Sequence, residues 1–169
     1  MRTLPAERPR VPGPGQSAQG ESGAKEDGGE ITEIYPEPSR VNEDIPERAR
    51  TYLEQAVNSI HAPIGAVILA ASAVDAMLKE KGYKKGDLYP RIEQAAKDHL
   101  ITEGMSQWAH QVRLDANAQR HADDSTPLPT TEDAKRSIDF AKALGQFLFV
   151  LPARVTRGIQ ATGGTTPSP

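Results

Sequence analysis

Cysteine is absent from the 169 residues of this sequence, and its absence excludes several kinds of chemistry. Without thiols the chain cannot form a disulfide framework, use a cysteine nucleophile or hold a metal through thiolates. Long apolar runs are missing too, since no stretch approaches the roughly 20 apolar residues of a membrane span. The basic N-terminal residues are followed by no apolar run, which does not fit a secretory signal. We therefore expect a soluble, cytoplasmic protein that does not enter a membrane.

Patterns that bind cofactors and metals are equally scarce. No phosphate-cradling glycine loop and no nucleophile elbow occur in the sequence. His110 and His121 have no carboxylate at the spacing of metal ligands, so the sequence predicts no metal site and no bound cofactor. The formal net charge of −3 gives no chain-wide attraction for nucleic acid, although charge confined to one face can still bind it locally.

The two ends of the chain are poor in large apolar residues. Residues 1–30 are rich in Pro, Gly, Ser, Gln and charge, and they cannot bury enough surface to offset the entropy of ordering. Residues 31–43 add a few apolar side chains and two prolines, which favours an extended strap lying on the domain. Residues 158–169 again have the composition of a disordered tail. The sequence therefore predicts one folded domain at 44–157, with tails available to tether a protein partner.

Apolar residues recur at helical spacing throughout the predicted domain, and no strand pattern stands out. Capping residues, prolines and Gly82 mark the ends of five predicted helices. These helices cover residues 44–60, 63–82, 87–100, 102–122 and 130–152. The second contains AVILAASAV, which is apolar on nearly every side and is typical of a helix at the centre of a bundle. We therefore predict an all-α antiparallel bundle of about five helices, in which Pro152 ends or kinks the last one.

Several polar residues carry predictions about helix ends. Asp44 and Asp87 stand where a side chain can cap the first and third helices. Thr130 stands at the start of the fifth helix, and Asp133 follows it at the spacing of a capping box.

Two residues inside the predicted helices need a packing partner. Asp75 lies midway along the otherwise apolar second helix, and a buried carboxylate there requires a counter-charge, for which Arg113 is one candidate. Trp108 lies on the apolar face of the fourth helix, where we expect it to pack in the core rather than to stack on a base.

The fourth predicted helix separates into an apolar and a polar face when its residues are placed at about 100° per position. One arc faces the core and contains Ile101, Met105, Trp108, Ala109, Val112 and Ala116. The opposite arc contains His110, Arg113, Asn117, Arg120, His121 and Asp124. Within it, Arg113, Asn117 and His121 follow one another at intervals of one turn.

Two interpretations of this polar arc remain open at the level of residue pattern. A guanidinium can hold a phosphate, a histidine can move a proton near neutral pH, and an asparagine can orient either group or a ligand. This combination suits RNA cleavage in which a ribose 2′-hydroxyl attacks the adjacent phosphate, with His121 exchanging protons and Arg113 stabilising the charge. Alternatively, the arc is the solvated face of a helix, and His121 only complements the dipole at its end.

Five segments of the sequence, taken together, point to a family. They are IYPEP, IPERARTYLEQAVNSI, GAVILAASAVDAMLKEKG, VRLDANAQRHADD and TTEDAKRSIDFAKALGQFLFVLPARV. Over residues 31–155 the chain resembles a bacterial domain of unknown function that is related to HEPN domains and often attached to restriction endonucleases. Its motif of arginine, Gly-Asn and Ala-His corresponds to Arg113, Asn117 and His121. Ala116 stands in place of the glycine and Arg120 in place of the alanine.

The resemblance implies both a fold and a function. HEPN domains are helical bundles that commonly dimerise, and many are metal-independent ribonucleases in which an arginine and a histidine act at a closer spacing than the seven residues between Arg113 and His121 here. The resemblance therefore implies a homodimer that binds RNA or a nucleotide phosphate through Arg113 and Arg120. Arg113, Asn117 and His121 would be the catalytic residues of a ribonuclease in a bacterial or phage conflict system. A non-catalytic dimerisation or adaptor module is the alternative, in which the same polar face is a plain interface.

Overall fold

The computed structural model describes residues 41–122 and 125–162, and within these ranges all regular secondary structure is helical. The elements are α1 (Glu47–Asn58), α2 (Pro63–Glu80), α3 (Leu88–Lys97), α4 (Glu103–Arg120), α5 (Thr131–Gly145), a π-helical segment (Gln146–Val150) and α6 (Leu151–Thr162). Because α5, the π segment and α6 follow one another without a break, the described part of the chain forms five helical rods. The predicted all-α fold of about five helices is confirmed. Asp124, the tail predicted for residues 1–30 and the strap up to residue 40 lie outside the described residues, as do residues 163–169 of the tail predicted for 158–169.

Helix α2 lies at the centre of the bundle, as its apolar sequence predicts. It packs against α1, α3, α4 and α5. Its buried residues are mainly alanines, and Val67, Val74, Met77 and Leu78 complete its core face. Small side chains on all sides of a helix let several neighbours approach its backbone closely, which explains why this helix collects the others around it. No helix in the described ranges combines the length and the apolar character needed to cross a membrane.

Two helices end in the same way, with a residue in the left-handed region. Gly82 has φ +100° and its amide donates to the carbonyl of Lys79, while the amide of Tyr83 donates to Leu78. These two bonds are a Schellman motif, so the predicted stop of α2 at Gly82 is confirmed. His99 takes the corresponding place after α3 with φ +56°, where glycine is the usual residue.

Three residues are predicted to cap the N-termini of helices, and the structure does not confirm all three. Thr130 and Asp133 form the predicted capping box at the start of α5. Asp87 occupies the N-cap position of α3, but its side chain makes no capping hydrogen bond. The prediction that Asp44 caps α1 is wrong, because Pro46 holds that position. Asp44 instead accepts two hydrogen bonds of 2.8 and 2.9 Å from the guanidinium of Arg157 in α6.

The prediction that the folded domain ends at residue 157 is wrong, because α6 continues to Thr162. Pro152 neither ends nor interrupts this helical rod. A proline lacks the amide proton for an α-helical bond, and its ring collides with the carbonyl four residues earlier. The chain meets this constraint with the wider π turn that directly precedes Pro152, in which the amide of Leu151 donates to Gln146, five residues back.

Most of the predicted core face of α4 is buried, but Trp108 is not. Ile101, Ala109, Val112 and Ala116 are buried, whereas 43% of Trp108 remains exposed. Its ring packs against the buried Phe140 of α5, with 5.1 Å between ring centroids. Trp108 therefore covers the edge of the core from outside, because it lies where the arc of α4 meets solvent.

Candidate functional site

An open cleft of about 580 Å³ lies between α1, α2, the start of α3 and α4. The four site residues predicted from the sequence, Arg113, Asn117, Arg120 and His121, all line this cleft. The other helices contribute further polar and aromatic side chains to it, namely Arg48, Tyr52, Ser72, Asp75, Lys79 and Tyr89. The structure therefore brings the whole predicted set together.

The periodicity of α4 explains why these four residues share the cleft. Val112 and Ala116 are buried on the face that packs toward α2 and α5, so the residues on the opposite arc point away from the core. Arg113 and His121 are eight positions apart, which places their Cα atoms about 12 Å apart along the helix axis. Arg120 is the direct neighbour of His121. The cleft therefore extends along α4, with Arg113 toward one end and Arg120 and His121 toward the other.

Arg113 lies against the ring of Tyr89. The centre of its guanidinium is 5.2 Å from the ring centroid, which is a cation–π distance. The Nε atom of Arg113 is buried and has no hydrogen-bond partner among the described residues. This arginine is thus oriented by an aromatic ring rather than neutralised by a carboxylate.

The predicted pairing of Asp75 with Arg113 is wrong. Asp75 accepts a hydrogen bond from Arg91 of α3 and forms an ion pair of 2.6 Å with Lys79. Arg91 is only 8% exposed, and its guanidinium also donates to the backbone carbonyl of Gly86. Arg91 therefore joins α3 and the connection before it to Asp75, while Arg113 packs against Tyr89 instead.

The sequence contains a signal for this role of Arg91. It lies three positions after Leu88 and four before Ala95, on the inward face of α3. A charged residue on the apolar stripe of a helix requires a buried counter-charge, and Asp75 was itself in need of one.

Arg120 has one weak contact within the described residues. Its Nη2 atom lies 3.5 Å from the hydroxyl of Ser72, and that hydroxyl donates to the carbonyl of Ile68 at 2.8 Å. Arg48, on α1, is exposed at the rim of the same cleft. In the described part of the chain, none of Arg48, Arg113 and Arg120 has a carboxylate partner.

The cleft has an excess of positive charge. Five cationic side chains line it, Arg48, Lys79, Arg91, Arg113 and Arg120, against the two carboxylates Asp75 and Asp87. The chain as a whole has a formal net charge of −3. Positive charge is therefore concentrated in the cleft although the chain as a whole is negative. A net charge does not reveal a local excess of this kind.

His110 does not line the cleft, although the sequence places it on the same arc. Its Nε2 atom lies 2.8 Å from Oε1 of Glu93 in α3, and its ring packs against Tyr89 with 4.8 Å between centroids. It links α3 to α4 behind Tyr89. His121 lies at the C-cap of α4 and is exposed. Among the residues that the structure describes, no three His, Asp or Glu side chains come together as a metal site.

Comparison of the chain with known protein families gives a match. The family described as Domain of unknown function (DUF4145) matches residues 53–161, from the middle of α1 to the last turn of α6. No curated protein and no solved structure matches the chain.

Proposed function

This chain belongs to the DUF4145 family of domains of unknown function, and we propose that its cleft binds RNA or a nucleotide phosphate. The observation that carries the proposal is the presence of three arginines without carboxylate partners, within the described residues, in one open cleft. An unpaired guanidinium on a surface of this kind presents several N–H donors in a plane, which matches the oxygens of a phosphate. Arg113, Arg120 and Arg48 supply these donors from two helices.

The proposal includes a reaction, metal-independent cleavage of RNA by a HEPN-like domain. The 2′-oxygen of a ribose attacks the adjacent phosphorus, and the bond from that phosphorus to the 5′-oxygen of the next nucleotide breaks. His121 accepts the proton of the 2′-hydroxyl and delivers it to the departing 5′-oxygen, so the products are a 2′,3′-cyclic phosphate and a 5′-hydroxyl. The reaction consumes no water and needs no metal. Asn117, one turn away, orients the histidine or the ribose.

We assign different tasks to the two arginines that α4 contributes to the cleft, Arg113 and Arg120. Arg120 is next to His121, so it holds the phosphate on which His121 acts and stabilises the charge that develops there. Arg113 lies about 10 Å further along the helix and binds a different part of the same ligand. A homodimer that joined two such clefts would form one longer site, in keeping with a role in a bacterial or phage conflict system.

The test is incubation of the purified protein with mixed cellular RNA in EDTA, with fragments resolved on a gel. We expect cleavage by the parent protein and a loss of at least about 100-fold in rate for His121→Ala and Arg120→Ala. The matched control is His61→Ala, which removes an exposed histidine outside the cleft and should cleave like the parent. No cleavage by the parent removes the reaction, and a parent protein that binds neither RNA nor a nucleotide removes the proposal.

The second candidate function is a dimerisation or adaptor module, and one observation favours it. Four apolar residues at intervals of four form a stripe on the rod that contains α6, and each is between 41% and 66% exposed: Phe147, Leu151, Val155 and Ile159. A contiguous apolar stripe on a helix is the usual mark of a protein interface. We call it the α6 stripe.

Light scattering after gel filtration tests this candidate. We expect a dimer that becomes a monomer in Val155→Glu and is unchanged in Leu128→Glu, since Leu128 is an exposed apolar residue outside the α6 stripe. A monomeric parent protein at high concentration would remove this candidate and leave the cleft as the site to pursue.

A further inference from the structure

Tyr89 has surroundings that neither phosphate binding nor proton transfer explains. It is the second residue of α3, it lines the cleft, and 51% of it is exposed. The guanidinium of Arg113 and the ring of His110 both pack against it, and His110 is in turn fixed by Glu93. Two side chains of α4 thus hold the orientation of this ring while half of the residue remains open.

We propose that Tyr89 is the stacking platform for an unpaired nucleobase, so that the cleft binds a nucleotide by its base at Tyr89 and by its phosphate at Arg120. The inference rests on the proposed function, because it assumes that the cleft takes a nucleotide, and it names the part of the ligand that each end of the cleft recognises.

The chemistry of the two ends supports this assignment. An aromatic ring that is already oriented loses little conformational entropy when a base stacks on it, and every base has a face suited to such stacking. The guanidinium of Arg113 lies over this ring, and a planar guanidinium is itself a group on which a base can stack. At the other end, the guanidinium of Arg120 offers positive charge and several N–H donors for a phosphate.

The two arginines of α4 have different neighbours at the two ends of the cleft. Arg113 and Arg120 are seven positions apart, which corresponds to about 10 Å along α4. The guanidinium of Arg113 packs against Tyr89, whereas that of Arg120 lies beside the hydroxyl of Ser72. Asn117 lies between them, and its amide can donate to and accept from a ribose hydroxyl or a base edge. A nucleoside phosphate with an unpaired base has a base, sugar and phosphate in the same order along its length.

Two sources present this chemistry, a free nucleotide and a single strand of RNA. The experiment measures binding of three probes to the whole protein: inorganic pyrophosphate, AMP and a short single-stranded oligoadenylate. AMP binding with the same dependence on Tyr89 identifies the free nucleotide as sufficient, whereas binding of the strand alone identifies RNA.

The variants are Tyr89→Ala and the matched control Tyr89→Phe, which keeps the ring and removes only the hydroxyl. We expect Tyr89→Ala to weaken binding of the base-containing probes about tenfold and to leave pyrophosphate binding unchanged. Tyr89→Phe should bind all three probes like the parent. Equal binding of the strand by Tyr89→Ala and the parent overturns the platform while the proposed function stands. A parent protein that binds none of the three probes overturns both.

A second measurement needs no variant that must fold. An oligonucleotide with one 2-aminopurine reports stacking, because the fluorescence of that base falls when it lies on an aromatic ring. We expect a fall in fluorescence when the parent protein binds the strand. Binding without any fall, with the 2-aminopurine placed at each position in turn, also overturns the platform.

Discussion

The cleft and the α6 stripe are two surfaces of the described residues, and they are built in opposite ways. The cleft is polar and cationic, and it needs side chains from α1, α2, α3 and α4 in one place. The α6 stripe is apolar and comes from a single rod. A surface assembled from four helices depends on how they pack, whereas a surface on one helix depends only on the rotation of that helix. The two surfaces should therefore respond to different substitutions.

Asp75→Ala, a substitution in the cleft, is expected to have the largest effect on the free energy of unfolding. This substitution leaves Arg91, which is 8% exposed, as a buried cation with only backbone carbonyls as partners. Removing one partner of such a pair should lower the free energy of unfolding by about 3 kcal/mol, measured by urea denaturation. The control is Asp139→Ala on the exposed side of α5, where we expect a change within about 0.5 kcal/mol. Equal effects of the two would mean that Asp75 and Arg91 do not hold the cleft together.

The next largest effect is expected from Gly145→Ala, at the last residue of α5 and just before the segment that carries the α6 stripe. A Cβ atom at this position would lie 2.6 Å from Cδ1 of Ile45 and 3.2 Å from Cε of Met77. We expect a loss of about 1–3 kcal/mol in the free energy of unfolding, although alanine is the better helix former. Gly104→Ala is the matched control, because a Cβ there meets no atom within 4 Å, and it should stabilise by up to about 1 kcal/mol. Stabilisation by both substitutions would show that α5 has room at Gly145.

The smallest effect is at the start of the rod that carries the stripe, from Thr130→Ala. Losing the capping box should cost about 1 kcal/mol near neutral pH, seen as a lower melting temperature. Hydrogen bonds from the hydroxyl and amide of Thr130 lower the pKa of the Asp133 carboxyl in the folded protein. The contribution is therefore present above the ordinary aspartate pKa of about 4 and is lost as the pH falls below it. The difference in melting temperature between parent and variant should shrink in acid, and a constant difference would contradict this account.

The sequence was sufficient to predict those features that depend on one helix at a time. The five rods, the central position of α2 and the capping box of α5 follow from spacing and composition, and the structure confirms them. The shared position of Arg113, Asn117, Arg120 and His121 follows from the 3.6-residue period in the same way, and these residues do line one cleft. The helical period alone determines which residues of a helix share a face, whatever helices pack beside it.

Features that depend on the packing between helices were not predictable. The inward position of Arg91 on α3 marks it as needing a counter-charge, but the choice between Arg91 and Arg113 as the partner of Asp75 depends on how α3 and α4 pack against α2. Arg48 on α1 and Tyr89 on α3 lie in the cleft because those helices pack against α2, and neither residue belongs to the motif on α4. Pro152 was misleading in a different way, since a proline that normally stops a helix is here accommodated by a π turn.

The π segment at Gln146–Val150 has a consequence for the orientation of α6. A π turn contains one more residue than an α turn, so this helix already carries the equivalent of a one-residue insertion. The extra residue is taken up within the π turn, so α6 leaves that turn facing as it would at the end of a continuous α-helix. The same residue taken up by ordinary α-helical winding would rotate α6 by about 100° about its axis, turn the α6 stripe in another direction and move Arg157 away from Asp44. The orientation of the last helix therefore depends on the π turn being kept.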